Sequence, residues 1–108
     1  MDGKWWKGSK QYVDFTVTLQ DPAGDLTLSE VEAVPFEVLV QRGTVTPELD
    51  DAGWVAPSEK VVTADGTAFK VTILHMYQAV ETGFHTVFVK FGPTPEEPVY
   101  QAASFVVL

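Results

Sequence analysis

Two histidines, four serines and a few paired aspartates are the residues of this chain able to do chemistry, and their spacing decides each case. His75 and His85 fall on separate β-patterned segments, and a two-histidine metal site needs carboxylate partners that the sequence does not set beside them. They read as structural or surface histidines. Ser9, Ser29, Ser58 and Ser104 have neither a G-x-S-x-G context nor an adjacent base, so no hydrolase triad is expected. Asp50-Asp51 and Asp21 with Asp25 could face a cation, but neither has the D-x-D-x-D-G spacing of a calcium loop. Solvated turn carboxylates are the plainer reading. No catalytic residue, cofactor or metal is assigned.

Trp5-Trp6 is the remaining candidate. Lys4, Lys7 and Lys10 surround it, so the first ten residues, with Asp2, carry +2 and the rest of the chain carries −10 of the net −8. Adjacent residues on a strand point to opposite faces, and both indoles therefore cannot enter one core by the same route. Two readings stand. One indole closes an open end of the domain while the other is partly exposed, or residues 1–10 form a basic, aromatic arm that docks on a partner, because Trp anchors with Lys suit acidic protein surfaces. Tyr100, Phe84 and Phe88 form a further candidate strip for sugar or protein, if they face away from the core.

These residues need a scaffold, and length and composition bound it. A chain of 108 residues is one domain able to bury roughly 65% of its unfolded surface. There is no Cys, which removes disulfides, thiolate metal sites and Cys nucleophiles together. Fifteen acidic against seven basic residues disfavour nucleic acid, since phosphate binding needs a basic face. MDGKWWKGSKQ lacks the apolar stretch of a signal peptide, and no run is long enough to span a bilayer. The expectation is a protein assembled in a cytoplasm, with no membrane partner, that leaves by lysis or within a larger particle.

Hydrophobicity alternates with period two nearly throughout, as in a strand with one buried face. QYVDFTVTLQ sets Val13, Phe15, Val17 and Leu19 against polar neighbours; PFEVLVQ does the same with Phe36, Val38 and Val40. DPAGD is a turn, Leu26 to Val34 reads either as a short strand or as one helical turn, and Trp54 follows an acidic loop from which it reaches back over the core. Asp65-Gly66 joins KVVTA to TAFKVTIL as a tight hairpin, directing Phe69, Val71 and Ile73 inward. In the last hairpin His85, Val87, Val89 and Phe91 share the core face, and Phe84, Thr86, Phe88 and Lys90 the other. Val87, Val89 and Phe91 should meet Phe15, Val17, Phe36, Val38 and Val71 at the core's centre. The expected fold is an all-β, immunoglobulin-like antiparallel sandwich of about seven strands over residues 11–108, with a jelly roll or small barrel as the alternative.

GFHTVFVKF (Gly83–Phe91), followed by a turn ending in EEPV and the strand SFVVL, resembles the closing hairpin of small immunoglobulin-like virion proteins of tailed bacteriophages. In those the pattern is Gly-x-Tyr-x-Val-x-Val, a Pro-Glu-x-Pro-Val turn and a terminal apolar strand; here His85 stands where Tyr is usual. TADGTAFKV supplies the preceding hairpin, so the likeness runs from Thr63 to the C-terminus. The resemblance implies a non-enzymatic capsid decoration or tail or neck accessory protein, present in many copies on a symmetric particle among other virion proteins. Attachment is then expected through Lys4, Trp5, Trp6, Lys7 and Lys10 and the sheet edges, with Pro95, Glu96 and Glu97 as a solvent-facing recognition tip. A binding module for host-surface glycan or protein is the alternative.

Overall fold

The computed structural model describes residues 5–91 and 99–108. Strands form where the apolar alternation runs. β1 (Lys10–Gln20) turns Val13 and Phe15 into the core, with Val17 and Leu19 packed at its margin. The ambiguous segment becomes a helix, α1 (Leu28–Glu32), because its first turn is capped from both sides: the Thr27 hydroxyl accepts the Glu30 N–H (3.2 Å) and the Glu30 carboxylate accepts the Thr27 N–H (3.2 Å). Its single buried residue is Val31. β2 (Phe36–Arg42), β3 (Glu59–Asp65), β4 (Ala68–Gln78), β5 (Gly83–Phe91) and β6 (Val99–Val107) complete the order.

The strands pair into two antiparallel sheets of three, β1-β4-β3 and β2-β5-β6. Their facing sides share one core, in which Val13, Val71 and Ile73 of the first sheet meet Val38, Val87 and Val89 of the second. The chain is therefore all-β and sandwich-like, with six strands among the described residues and a shorter pairing at Trp5 described below. Phe91 lies at the core's margin rather than its centre, where it stacks on Phe36 (4.9 Å between ring centroids) and Tyr100 (5.6 Å).

Three sequence expectations shift once pairing is fixed. The β3–β4 loop is Gly66-Thr67, not Asp65-Gly66, because Asp65 still pairs with Ala68. Gly66 has φ +63° and Thr67 does not enter the positive region, which is the pattern of a type II′ turn with glycine first. The face of β5 expected to point outward is largely buried: Thr86, Phe88 and Lys90 lie under the segment 43–55. The Thr86 hydroxyl donates to Gly43 O (2.6 Å), Trp54 packs on Leu39 and Phe88, and the Lys90 ammonium donates to Leu49 O (2.7 Å) while lying over the Trp54 ring (5.1 Å). Trp54 thus covers the back of a sheet, not the core between sheets.

The third shift is a β-bulge. Val87 pairs with Ala103 but Phe88 with Gln101, so Ala102 is an extra residue and the inside–outside alternation of β6 reverses there. Tyr100 consequently faces inward beside Phe91, opposite to Phe84 and Phe88, and the three do not form a strip.

A Cβ added at Gly66 would meet nothing within 4 Å, so Gly66→Val isolates backbone strain from packing. The substitution is expected to cost about 1 to 3 kcal/mol in equilibrium denaturation. An unchanged midpoint would place the turn elsewhere.

Candidate functional site

The N-terminal segment does not hang free from Trp5 onward. Trp5 forms a parallel bridge with Val107 of β6, the Leu108 N–H donates to Trp5 O (2.8 Å), and the Lys7 N–H donates to Leu108 O (3.1 Å). The chain then turns: the Ser9 N–H donates to Trp6 O (2.8 Å) with Gly8 at φ +89° in the third position, a type II turn that requires glycine there. The Ser9 hydroxyl secures it, donating to Trp6 O (2.6 Å) and accepting the Trp6 N–H (3.2 Å). Beyond the turn the partners change sheet. The Gly8 N–H donates to Ala79 O (2.6 Å), the Ala79 N–H donates to Ser9 O (2.9 Å), and β1 begins against β4. Residues 5–10 are a clasp between the two sheets.

That geometry separates the two indoles. Trp5 is 1% exposed and stacks on Phe105 (4.4 Å), which stacks in turn on His85 (5.3 Å), with Tyr77 tilted against all three rings. Trp5 is accordingly a core residue, and its assignment to a docking arm is corrected here: the alternation that exposes Trp6 drives Trp5 inward. The arm's boundary at residue 10 is corrected with it, since Trp5 to Ser9 are bonded to the domain. Trp6 is 57% exposed and Lys7 and Lys10 are exposed; Lys4 lies outside the described residues, as do Pro95, Glu96 and Glu97.

Trp6 has apolar company. Val107 and His85 point inward, so Val106, Leu108 and Phe84 point outward on the back of β2-β5-β6; Phe84 and Val106 are register partners, and all three are about half exposed. The segment 43–55 covers the β2 side of this face, its Gly43 N–H donating to Phe84 O (2.8 Å), and leaves these three side chains about half exposed. The result is an uncovered apolar face where the N-terminal clasp, the start of β5 and the C-terminus meet. Lys7, whose N–H donates to Leu108 O, adjoins it, while Arg42, the register partner of the inward-facing His85, lies against Gly83 on the core side of the sheet. Sequence reasoning named Trp6 and Phe84 but missed Val106 and Leu108, whose exposure follows from the bulge and from the short parallel pairing.

Several of the remaining chemistry-capable side chains have structural work. Both Asp21 carboxylate oxygens accept backbone N–H groups, from Asp25 (3.1 Å) and Leu26 (3.0 Å), and Asp51 accepts from Gly53 (2.8 Å). The Ser58 hydroxyl accepts the Met76 N–H (3.0 Å). His85 is buried in the aromatic stack with Nδ1 3.0 Å from Gly83 O. Among the described residues no three His, Asp or Glu side chains converge as a metal site. Two enclosed nitrogens, Trp5 Nε1 and His75 Nδ1, have no hydrogen-bond partner among the described residues. Burial pushes the His75 pKa below the ordinary histidine value; burial, then Glu81, pushes the Tyr77 hydroxyl above its own. No known protein family, curated protein or solved structure matches this chain.

Trp5→Ala should cost about 3 to 5 kcal/mol, and removal of residues 1–8 should unfold the domain, whereas Trp6→Ala should stay within about 0.5 kcal/mol of the parent. Chemical denaturation of the three variants decides it; a folded truncation would restore the free arm. For His75, the depressed folded pKa means that the unfolded chain takes up the proton first as pH falls. Stability is therefore full above about pH 6.5 and declines below it. Between about pH 7.5 and pH 5.5 the parent should lose more stability than His75→Gln. Equal losses would show that His75 is not the group responsible.

Proposed function

We propose that this chain is a non-enzymatic, immunoglobulin-like sandwich that acts as an accessory component of a phage particle, a capsid decoration or a tail or neck module, attached through the face around Trp6. The observation that carries the reading is the uncovered Trp6, Phe84, Val106 and Leu108 face on an otherwise acidic domain. Contiguous apolar surface on a small soluble domain marks an interaction site, and Trp is the residue most often found at the energetic centre of one. Lys7 at its border favours a partner with acidic groups around an apolar centre. The strand order supports immunoglobulin-like wiring: β1-β4-β3 and β2-β5-β6 reproduce the B-E-D and C-F-G sheets of that architecture, with Trp5–Lys7 as a short first strand beside the last. This wiring and the resemblance of Gly83–Phe91 to virion proteins are mutually consistent, and the assignment to a particle rests on the resemblance.

A second reading, a module for host-surface glycan, is favoured by a groove of about 440 Å³ lined by Pro35, Phe36, Glu37, Ala56, Pro57 and Lys60. Phe36 is buried and begins an aromatic row that ends on half-exposed Tyr100, whose ring offers a face on which a sugar could stack. Lys60, however, is engaged in structure, donating to Glu32 O (2.8 Å) and Val34 O (3.0 Å) at the end of α1.

Cosedimentation with purified phage particles tests the first reading. The double variant Trp6→Ser, Phe84→Ser should bind at least about tenfold more weakly while melting as the parent does. A variant that decorates particles as well as the parent, with host-cell binding lost instead on Tyr100→Ala, would move the function to the groove.

A further inference from the structure

Two sheets of three strands leave four edges, and an unguarded edge presents a row of unpaired N–H and C=O groups that recruits another strand. Three edges are guarded. β6 carries the bulge at Ala102, and its last residues are taken by Trp5–Lys7. β2 is bridged by Val55, with the Val38 N–H donating to Val55 O (2.8 Å) and the Val55 N–H donating back to Val38 O (3.1 Å). β3 is seven residues long and points the Lys60 ammonium inward over Phe36, a charge placed where a docking strand would have to pack. β1 has none of these devices. It runs eleven residues without Pro, Gly or bulge, in unbroken register from Lys10↔Gln78 to Gln20↔Ala68, and among the described residues no strand or bridge lies on its other side.

We propose that this edge is a self-association site: β1 of a second copy adds to it antiparallel, about a two-fold axis at Phe15, giving one continuous sheet in the order β3-β4-β1-β1-β4-β3. A two-fold axis at Phe15, the middle residue of β1, brings all eleven positions into pairing. It sets Val13 opposite Val17 and Gln11 opposite Leu19 on the core side, so inward residues meet inward residues and the register is faithful to both cores. On the outer side Asp14 faces Thr16, Tyr12 faces Thr18 and Lys10 faces Gln20, and no two like charges oppose. Moving the axis to Asp14 would set two carboxylates against each other. Apart from Lys10 and Asp14 the strand is uncharged on a chain of net −8, so two copies approach along it with little repulsion. Trp6 and Phe84 lie on the back of the other sheet, so this pairing does not depend on the docking face and leaves it open.

Sedimentation equilibrium of the intact protein tests the proposal, with an apparent mass expected to rise from 11.9 kDa towards twice that value over a concentration series. The chain has no native cysteine, so placement can be read by mixing the single variants Asp14→Cys and Thr16→Cys under mild oxidation. Directly opposed strand positions lie within disulfide reach, and the 14–16 crosslink should form at least about tenfold faster than that of Asp14→Cys with Thr63→Cys on the distant strand β3. A mass that stays at 11.9 kDa at every concentration overturns the proposal, as does a dimer whose 14–16 crosslink is no faster than the control. Dimerisation retained in Trp6→Ser, Phe84→Ser supports the β1 edge, and dimerisation lost in that variant assigns the contact to the docking face and overturns it.

Discussion

Two three-stranded sheets with no covalent tie between them must be held in register by the core alone, and here the chain's first described residues supply the fastening. Trp5 inserts between the sheets at one end and stacks on Phe105, while the backbone on either side bonds to Leu108 in one sheet and Ala79 in the other. A stacked aromatic pair contributes about 0.5 to 1.5 kcal/mol beyond the area it buries, and a fully buried indole is among the largest single contributions a small domain can hold. The consequence for function is geometric. Because Trp5 is drawn inward, Trp6 is turned out, and the same parallel pairing that fixes Trp5 exposes Val106 and Leu108 beside it.

The second constraint is the burial of β5 on both faces. As the central strand of its sheet it meets the core with His85, Val87 and Val89, and its back is covered by the segment 43–55 through Thr86, Phe88 and Lys90. Lys90 is the costly member, since an ammonium removed from water needs strong partners. It has Leu49 O, the Trp54 ring and the Glu37 carboxylate (3.5 Å). This coverage decides where the surface is apolar and where it is not. At its margin Phe84 stays about half exposed, on the uncovered apolar face at one end of the domain.

The strands were legible in the sequence because period-two alternation reports which side chains share a face, and Val13, Phe15, Val38, Val71, Ile73, Val87 and Val89 all reach the core as that pattern requires. What escaped was pairing. A one-residue difference in hairpin register moved the turn to Gly66-Thr67, and one extra residue at Ala102 reversed the direction of Tyr100, neither of which alternation within a single strand can record. The capping box at Thr27 and Glu30 was present to be read and settles α1 over a strand. At the candidate site, Trp6 was visible from its type and neighbours, but the fate of Trp5 was not. Two adjacent indoles have the same local signal, and only the partner strand determines which one is buried.

The uncovered apolar face around Trp6 follows from the fastening by Trp5 and its neighbours, so the fastening is the claim to test first. Amide hydrogen exchange measured residue by residue reads it directly, because three of the bonds that make the clasp involve the N–H groups of Lys7, Ala79 and Leu108. The account predicts that all three exchange as slowly as the amides of central β5, opening only with the global unfolding of the domain. Exchange of these amides at the rate of an unstructured chain, with β5 still protected, would contradict it.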